Sequence, residues 1–280
     1  MAKIKDTDYL FSTAWVRSVE KNMLTRERAE KMIDAKSTED SLKVLDDIGY
    51  GFRDESINSN NYEKLLADEH KKTYDFITSI APELDCFKMF LYPYDYHNLK
   101  VIMKSEYLGI DASEILVDTG SVDLKMLKYS VNERDFSELT ENMGNALNEI
   151  IETFPKTNDP QIIDIILDKY CYEEMLKSAE ETKSKFIIDY IKMQIDGINI
   201  KTYVRLKKMN KSWNFFMKVY LGGGNIDVQI FIRNYDEPFE KFAEQLSLYG
   251  FKEIFIEGTD ALAETGKFTT LEKLLDNKII

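Results

Sequence analysis

The sequence predicts an all-α protein assembled from related helical units. Three observations carry this expectation. Gly and Pro, the residues that interrupt helices, number only 12 and 5 in 280 residues. Apolar residues recur at three- and four-residue spacing along most of the chain, and no stretch of six or more alternates convincingly with period two. The same features then return in the same order roughly a hundred residues apart.

The elements follow in order. In "YLFSTAWVRSVEKNML", Tyr9, Ser12, Thr13 and Val16 share one helical stripe, with Leu10, Ala14, Arg17 and Lys21 beside it. Thr25 is placed to cap the next helix, with Arg28 where a capping box would carry Glu. Ser37 or Thr38 starts a third helix, which turns Leu42 and Leu45 inward and is closed by Gly49. "NYEKLLADEHKKTYDFITSIAP" is amphipathic and ends at a proline. The acidic stretch from Asn132 to Thr153 reads as a helical pattern with Phe136, Leu139 and Met143 inward and its carboxylates solvated. The nearest approach to a strand is "FKEIFIEG", Phe251–Gly258, a candidate short strand between two helical patterns.

Composition narrows the function. At 44% hydrophobic residues and 31% charged, with 16 Tyr, 16 Phe and 2 Trp, the chain can bury a large core. Its formal net charge of −13 would be repelled by a phosphate backbone, so nucleic acid is excluded as a general partner. Cys86 and Cys171 stand alone, as reduced thiols of a cytosolic protein do. No apolar run reaches the roughly 20 residues that span a bilayer. The opening "MAKIKDTDYLFSTAW" carries an acid and no long apolar run, unlike a secretory signal. Any membrane process is therefore expected to be served from the aqueous side.

Three features recur. The first is a helix start after a turn containing Ser or Gly: "TEDSLKVLDD", "GSVDLKMLKYS" and "GNIDVQIFIRN". The second is an apolar helix bearing an Asp: "YEKLLADEHKKTYDF", "IDIILDKYCYEEML" and the closing "LEKLLDNKII". The third is Asp-x-x-Asn-x-Lys, present as Asp95, Asn98, Lys100 and again as Asp196, Asn199, Lys201. Asp68 precedes Asp95 by 27 residues and Asp168 precedes Asp196 by 28. The same step from Asp276 reaches a position near 303, past Ile280. The chain thus reads as two full copies of a unit and most of a third, divided as 1–115, 116–222 and 223–280.

On a helix, positions i and i+3 share a face. Asp95 and Asn98 then border the apolar stripe of Leu99, Ile102 and Met103, where buried polar groups need partners. The duplicated pair reads as a register pin between helices, inherited as scaffold with the repeat.

Other chemistry is weaker. "LGGGNID" lacks the Lys-Ser/Thr of a phosphate-binding loop and reads as a helix stop and turn, without direct nucleotide binding. His70 and His97 are isolated, and no cluster suggests a metal or cofactor. No catalytic constellation stands out; the rival is a helical enzyme using carboxylates such as Glu173 and Glu174. From Lys192 to Lys218 there are seven basic residues and one acid, Asp196. Lys201, Arg205 and Lys208 fall on one helical face. They read either as a docking surface for an acidic partner or as a face balancing acidic helices of the same unit.

The opening Tyr9-x-x-Ser12-x-x-x-Val16-Arg17, the repeated Asp-x-x-Asn-x-Lys, the "LEKLLD" helix and "LGGGNID" together resemble the C subunit of archaeal and vacuolar-type (A/V-type) ATPases, the family of the vacuolar d subunit. The resemblance covers the whole chain. It implies three related helical units around a pseudo-threefold axis, forming a funnel whose third unit is incomplete here. It further implies a non-catalytic socket between central-shaft subunits of D/F type and the membrane rotor ring. Such a protein is peripheral to the cytoplasmic side of the membrane and serves proton or sodium transport. The alternative is a generic helical-repeat adaptor without a motor role.

Overall fold

The computed structural model describes residues 6–50 and 62–280, and every element among them is helical. The chain divides into two compact units, Met1–Asp85 and Cys86–Ile280.

The first unit contains α1 (Leu10–Val19), α2 (Arg26–Ile33), α3 (Thr38–Asp46) and α4 (Tyr62–Ile80). Thr25 caps α2 by accepting from the Arg28 amide, so the hydroxyl suffices without a Glu. Ser37, not Thr38, caps α3, accepting from the Asp40 amide at 3.1 Å. Leu42, Leu45 and Leu65 form a small core, flanked by Met32, Ile48 and Tyr50. Within α1 the stripe read from the sequence narrows to Ser12, which is buried and donates to the Ile80 carbonyl at the end of α4.

The second unit runs α5 (Tyr92–Leu108), α6 (Leu124–Glu133), α7 (Glu141–Thr157), α8 (Gln161–Glu181), α9 (Lys185–Lys208), α10 (Trp213–Val219), α11 (Val228–Arg233), α12 (Phe239–Leu246), α13 (Lys252–Thr265) and α14 (Thr269–Ile279). Its interior is two adjoining apolar cores. The first gathers Leu99 and Met103 of α5, Leu127 of α6, Leu147 and Ile150 of α7, and Leu167 of α8. The second is aromatic: Tyr203 stands at its centre, with Phe216, Phe231 and Phe242 around its ring. Helix α9 belongs to both, since Ile191 and Ile195 enter the first core and Ile200, Tyr203 and Val204 the second. Its 24 residues make a spine about 36 Å long at 1.5 Å per residue.

Two expectations are corrected. "FKEIFIEG" is helical, part of α13: Phe251, Phe255, Gly258 and Leu262 follow a helical period, all turned inward. The acidic stretch is not one helix. Arg134 takes a left-handed conformation (φ 57°) that ends α6, and Thr140 caps α7 anew by accepting from the Met143 amide. Phe136 and Leu139 therefore pack from a loop, half-buried, while Met143 is fully buried in α7. Among the described residues, no helix is long and apolar enough to cross a membrane.

Candidate functional site

The repeated signature is built into two matched braces. In the first, Asp95 lies on the first turn of α5 and is fully buried. It reaches the loop before α6, accepting from the Ser121 amide at 2.9 Å, the Ser121 hydroxyl at 2.6 Å and the Val122 amide at 3.1 Å. In the second, Asp196 of α9 accepts from the Asn225 amide and side chain, each at 3.0 Å, and from the Ile226 amide at 3.0 Å. Asn98 both donates to the Val117 carbonyl (2.8 Å) and accepts from the Val117 amide (2.9 Å). Asn199 does the same with Leu221 at the same two distances. Each asparagine thus pairs with the loop backbone as a neighbouring strand would, satisfying donor and acceptor together.

The approach is so close that only glycine fits opposite. A Cβ on Gly120 would stand 2.2 Å from an Asp95 carboxylate oxygen, and one on Gly224 2.3 Å from that of Asp196. Burial pushes both carboxyls above their ordinary range, against the pull of the loop donors. Glu174 adds to the rise at Asp95, while Lys192 opposes it at Asp196.

The lysines of the signature act on a different element. Lys100 pairs with Asp168 of α8, and one turn on Lys104 pairs with Asp164 at 2.7 Å. Lys201 pairs with Asp276 of α14 at 2.5 Å, and one turn on Arg205 pairs with Glu272. Each signature helix is therefore fastened twice, by amide–carboxylate bonds to the loop that follows it and by two ion pairs to a helix far along the chain. Half-exposed pairs of this kind contribute at most about 1 kcal/mol each, so the buried polar contacts carry more of the register. Asp168 and Asp276 were legible as a recurring feature but not as partners of Lys100 and Lys201. Lys104, Asp164 and Glu272 carried one usable signal, an i,i+4 step matching that of the opposing helix.

These contacts change the reading of the basic stripe. Lys201 and Arg205 meet carboxylates of α14, which falls in 223–280 and not among the acidic helices of their own expected unit, 116–222. Lys207, beside them, turns inward to the carbonyls of Asn234 and Glu237. Lys208 stays exposed.

The remaining candidates find structural places. Within "LGGGNID", the amides of Asn225 and Ile226 are bonded to Asp196. His97 bonds through Nε2 to the Ile115 carbonyl at 2.9 Å, joining the loop that Asn98 holds. His70 stacks on Tyr74. Cys171 is buried beside Met175, and burial pushes its thiol far up. Glu174 is buried and accepts from the Tyr96 hydroxyl at 2.7 Å, while Glu173 is exposed. Among the described residues, no group of three or more His, Cys, Asp or Glu is arranged to hold a metal ion.

Two matched braces, one on α5 and one on α9, define an all-α scaffold whose most elaborate polar chemistry joins its own helices and loops. Residues 12–280 match the sequence profile of the ATP synthase (C/AC39) subunit family, and the chain belongs to that family. Among its relatives is the C subunit of the V-type sodium ATPase from Enterococcus hirae, 24% identical over 217 residues. The C subunit of the A-type ATP synthase from Thermococcus kodakarensis is 22% identical over 235 residues. The matched stretches take in 75% and 80% of this chain but 64% of each relative, so the chain spans under two-thirds of their length. A third relative, the corresponding A-type ATP synthase C subunit of Pyrococcus abyssi, is 23% identical over 297 residues, 99% of this chain and 77% of its own.

Proposed function

We propose that this chain is the socket of an A/V-type rotary ATPase, a non-catalytic part that couples the central shaft to the membrane rotor ring. ATP turnover on other subunits would then drive proton or sodium transport, or the reverse. Family membership supports this, and one structural observation carries the mechanical part: the same double fastening, built twice around buried Asp–Asn pairs.

A torque coupler needs stiffness, and stacked helical units supply it through continuous apolar packing. On a division into units 1–115, 116–222 and 223–280, each signature helix lies within one unit and is tied by its ion pairs to the next. Lys100 then bonds the second unit's Asp168, and Lys201 the third unit's Asp276. Three such units about a pseudo-threefold axis would make a funnel, its mouth taking the D/F-type shaft and its base the ring. The chain would sit at the cytoplasmic side of the membrane, peripheral to it.

Co-assembly tests this. The purified chain, mixed with the shaft subcomplex and detergent-solubilised ring of the same cell's ATPase, is expected to elute with both in one complex. Elution apart from both would place the chain outside the rotor and favour a generic helical adaptor.

A further inference from the structure

Both signature helices end in an exposed corner that the braces do not explain. Helix α5 ends at Leu108, and the loop beyond carries Ile110 and Ile115. Helix α9 ends at Lys208 and Met209, turns through Asn210 (φ 53°) and restarts as α10 at Trp213. Leu108 is 47% exposed and Met209 62%, while Ile115 and Trp213 stand 58% and 43% exposed. The packing side of α10 is already occupied by Phe216, which is fully buried, so the fold itself does not call for an exposed Trp213. Large apolar groups left in water at the same end of two related helices point to surfaces that are covered by a partner.

The two corners differ in charge. The first carries exposed Asp111, Glu114 and Asp118. The second runs Lys208-Met209-Asn210-Lys211-Ser212-Trp213-Asn214, every residue exposed and none acidic. The neighbouring cations are spent inside the fold: Lys201 and Arg205 on α14, Lys207 on backbone carbonyls. Lys208 and Lys211 are not spent on any carboxylate of the described residues, and Lys211 lies over the Phe215 ring instead. On a chain of net charge −13, this corner is a local inversion of sign.

We infer that the α9–α10 corner docks an acidic segment of the shaft, with Met209 and Trp213 as anchors and Lys208 and Lys211 steering the approach. The inference rests on the socket reading and assigns it a surface. A tryptophan with neighbouring cations is the composition that dominates protein interfaces. An anionic membrane is a poorer occupant, because the strongly acidic remainder of the chain would be repelled by a continuous negative sheet.

The test titrates the full chain with the purified shaft subcomplex of its own ATPase. Met209→Ala with Trp213→Ala is expected to weaken binding about tenfold or more at any salt concentration. Lys208→Glu with Lys211→Glu is expected to weaken it about tenfold at low ionic strength, mainly through slower association, with the difference closing as salt screens the charges. Leu248→Ala with Phe186→Ala, at residues 86% and 80% exposed elsewhere, should leave binding unchanged. Unchanged melting temperatures confirm that the variants fold. Binding of both corner variants within twofold of wild type would overturn the docking surface and leave the socket reading standing. Wild-type chain that fails to bind the shaft would overturn the socket reading itself. Loss of binding to phosphatidylserine vesicles with shaft binding intact would reassign the corner to a membrane surface.

Discussion

Asp196→Ala is expected to lower stability by about 2–4 kcal/mol, because it leaves the buried Ile226 amide and the part-buried Asn225 donors without their acceptor. Asp196 is 1% exposed and holds the amides of Asn225 and Ile226 and the Asn225 side chain. Among the described residues no other acceptor is bonded to these groups, and Asn199 next to them is committed to Leu221. At this chain length the loss corresponds to a melting temperature lower by roughly 3–7 °C. Thermal unfolding followed by circular dichroism reads it directly, and a melting temperature unchanged within a degree would remove Asp196 from the account. The pH dependence supplies a second check. Burial raises the folded carboxyl above its unfolded pKa, so the wild-type contribution is fullest below the unfolded value. It is lost in part as pH rises through the raised value. The variant has no such group, so its deficit should be larger near pH 4 than near pH 8.

Gly258→Val is expected to destabilise at least as strongly. A Cβ at Gly258 would stand 2.6 Å from the Leu271 Cδ1, 2.8 Å from its Cα and 2.9 Å from its Cβ; the methyl can swing aside, but the Cα moves only with the α14 backbone. Overpacking of this kind typically costs about 1–3 kcal/mol and can exceed it when backbone must move. Alanine at the same site regains about 1 kcal/mol of helix propensity and should be milder. The effect reaches the second brace, since α14 carries the Glu272 and Asp276 that hold α9. Gly222→Ala is the control. Nothing lies within 4 Å of its Cβ direction and its φ is ordinary, so denaturant unfolding should show no loss. Equal losses at Gly222 and Gly258 would mean that close packing of α14 is not what the glycine serves.

Much of the helical architecture was legible because it depends on local rules. Period, caps and the scarcity of breakers mark α2, α3 and α8 without tertiary information. The repeated Asp-x-x-Asn-x-Lys signature was legible because the same residue types return in the same order, and its Asp and Asn stood out as polar residues on an apolar face. The failures occur where tertiary structure decides. "FKEIFIEG" is rich in β-branched and aromatic residues, but two of its phenylalanines, Phe251 and Phe255, enter the aromatic core at helical spacing. Arg134 ends α6 in a left-handed turn with no Gly or Asn to announce it. The ion pairs could not be read because Lys100 and Asp168 lie 68 residues apart, and a lysine's partner is set by the fold rather than by its neighbours. For the same reason, the sequence left Lys201 and Arg205 with two readings, docking or charge balance, and did not point to α14 as what they meet.

Under the proposed socket role these contacts would serve stiffness. A helix held to a loop by buried hydrogen bonds and along its side by ion pairs would resist both sliding and rotation, the two motions by which torque would dissipate. Coupling therefore supplies the central test. In vesicles carrying the cell's own ATPase, complex assembled without this chain is expected to hydrolyse ATP while ion transport falls to background. Adding back the wild-type chain should restore the ions moved per ATP. Full transport per ATP in its absence would contradict a role in transmitting rotation.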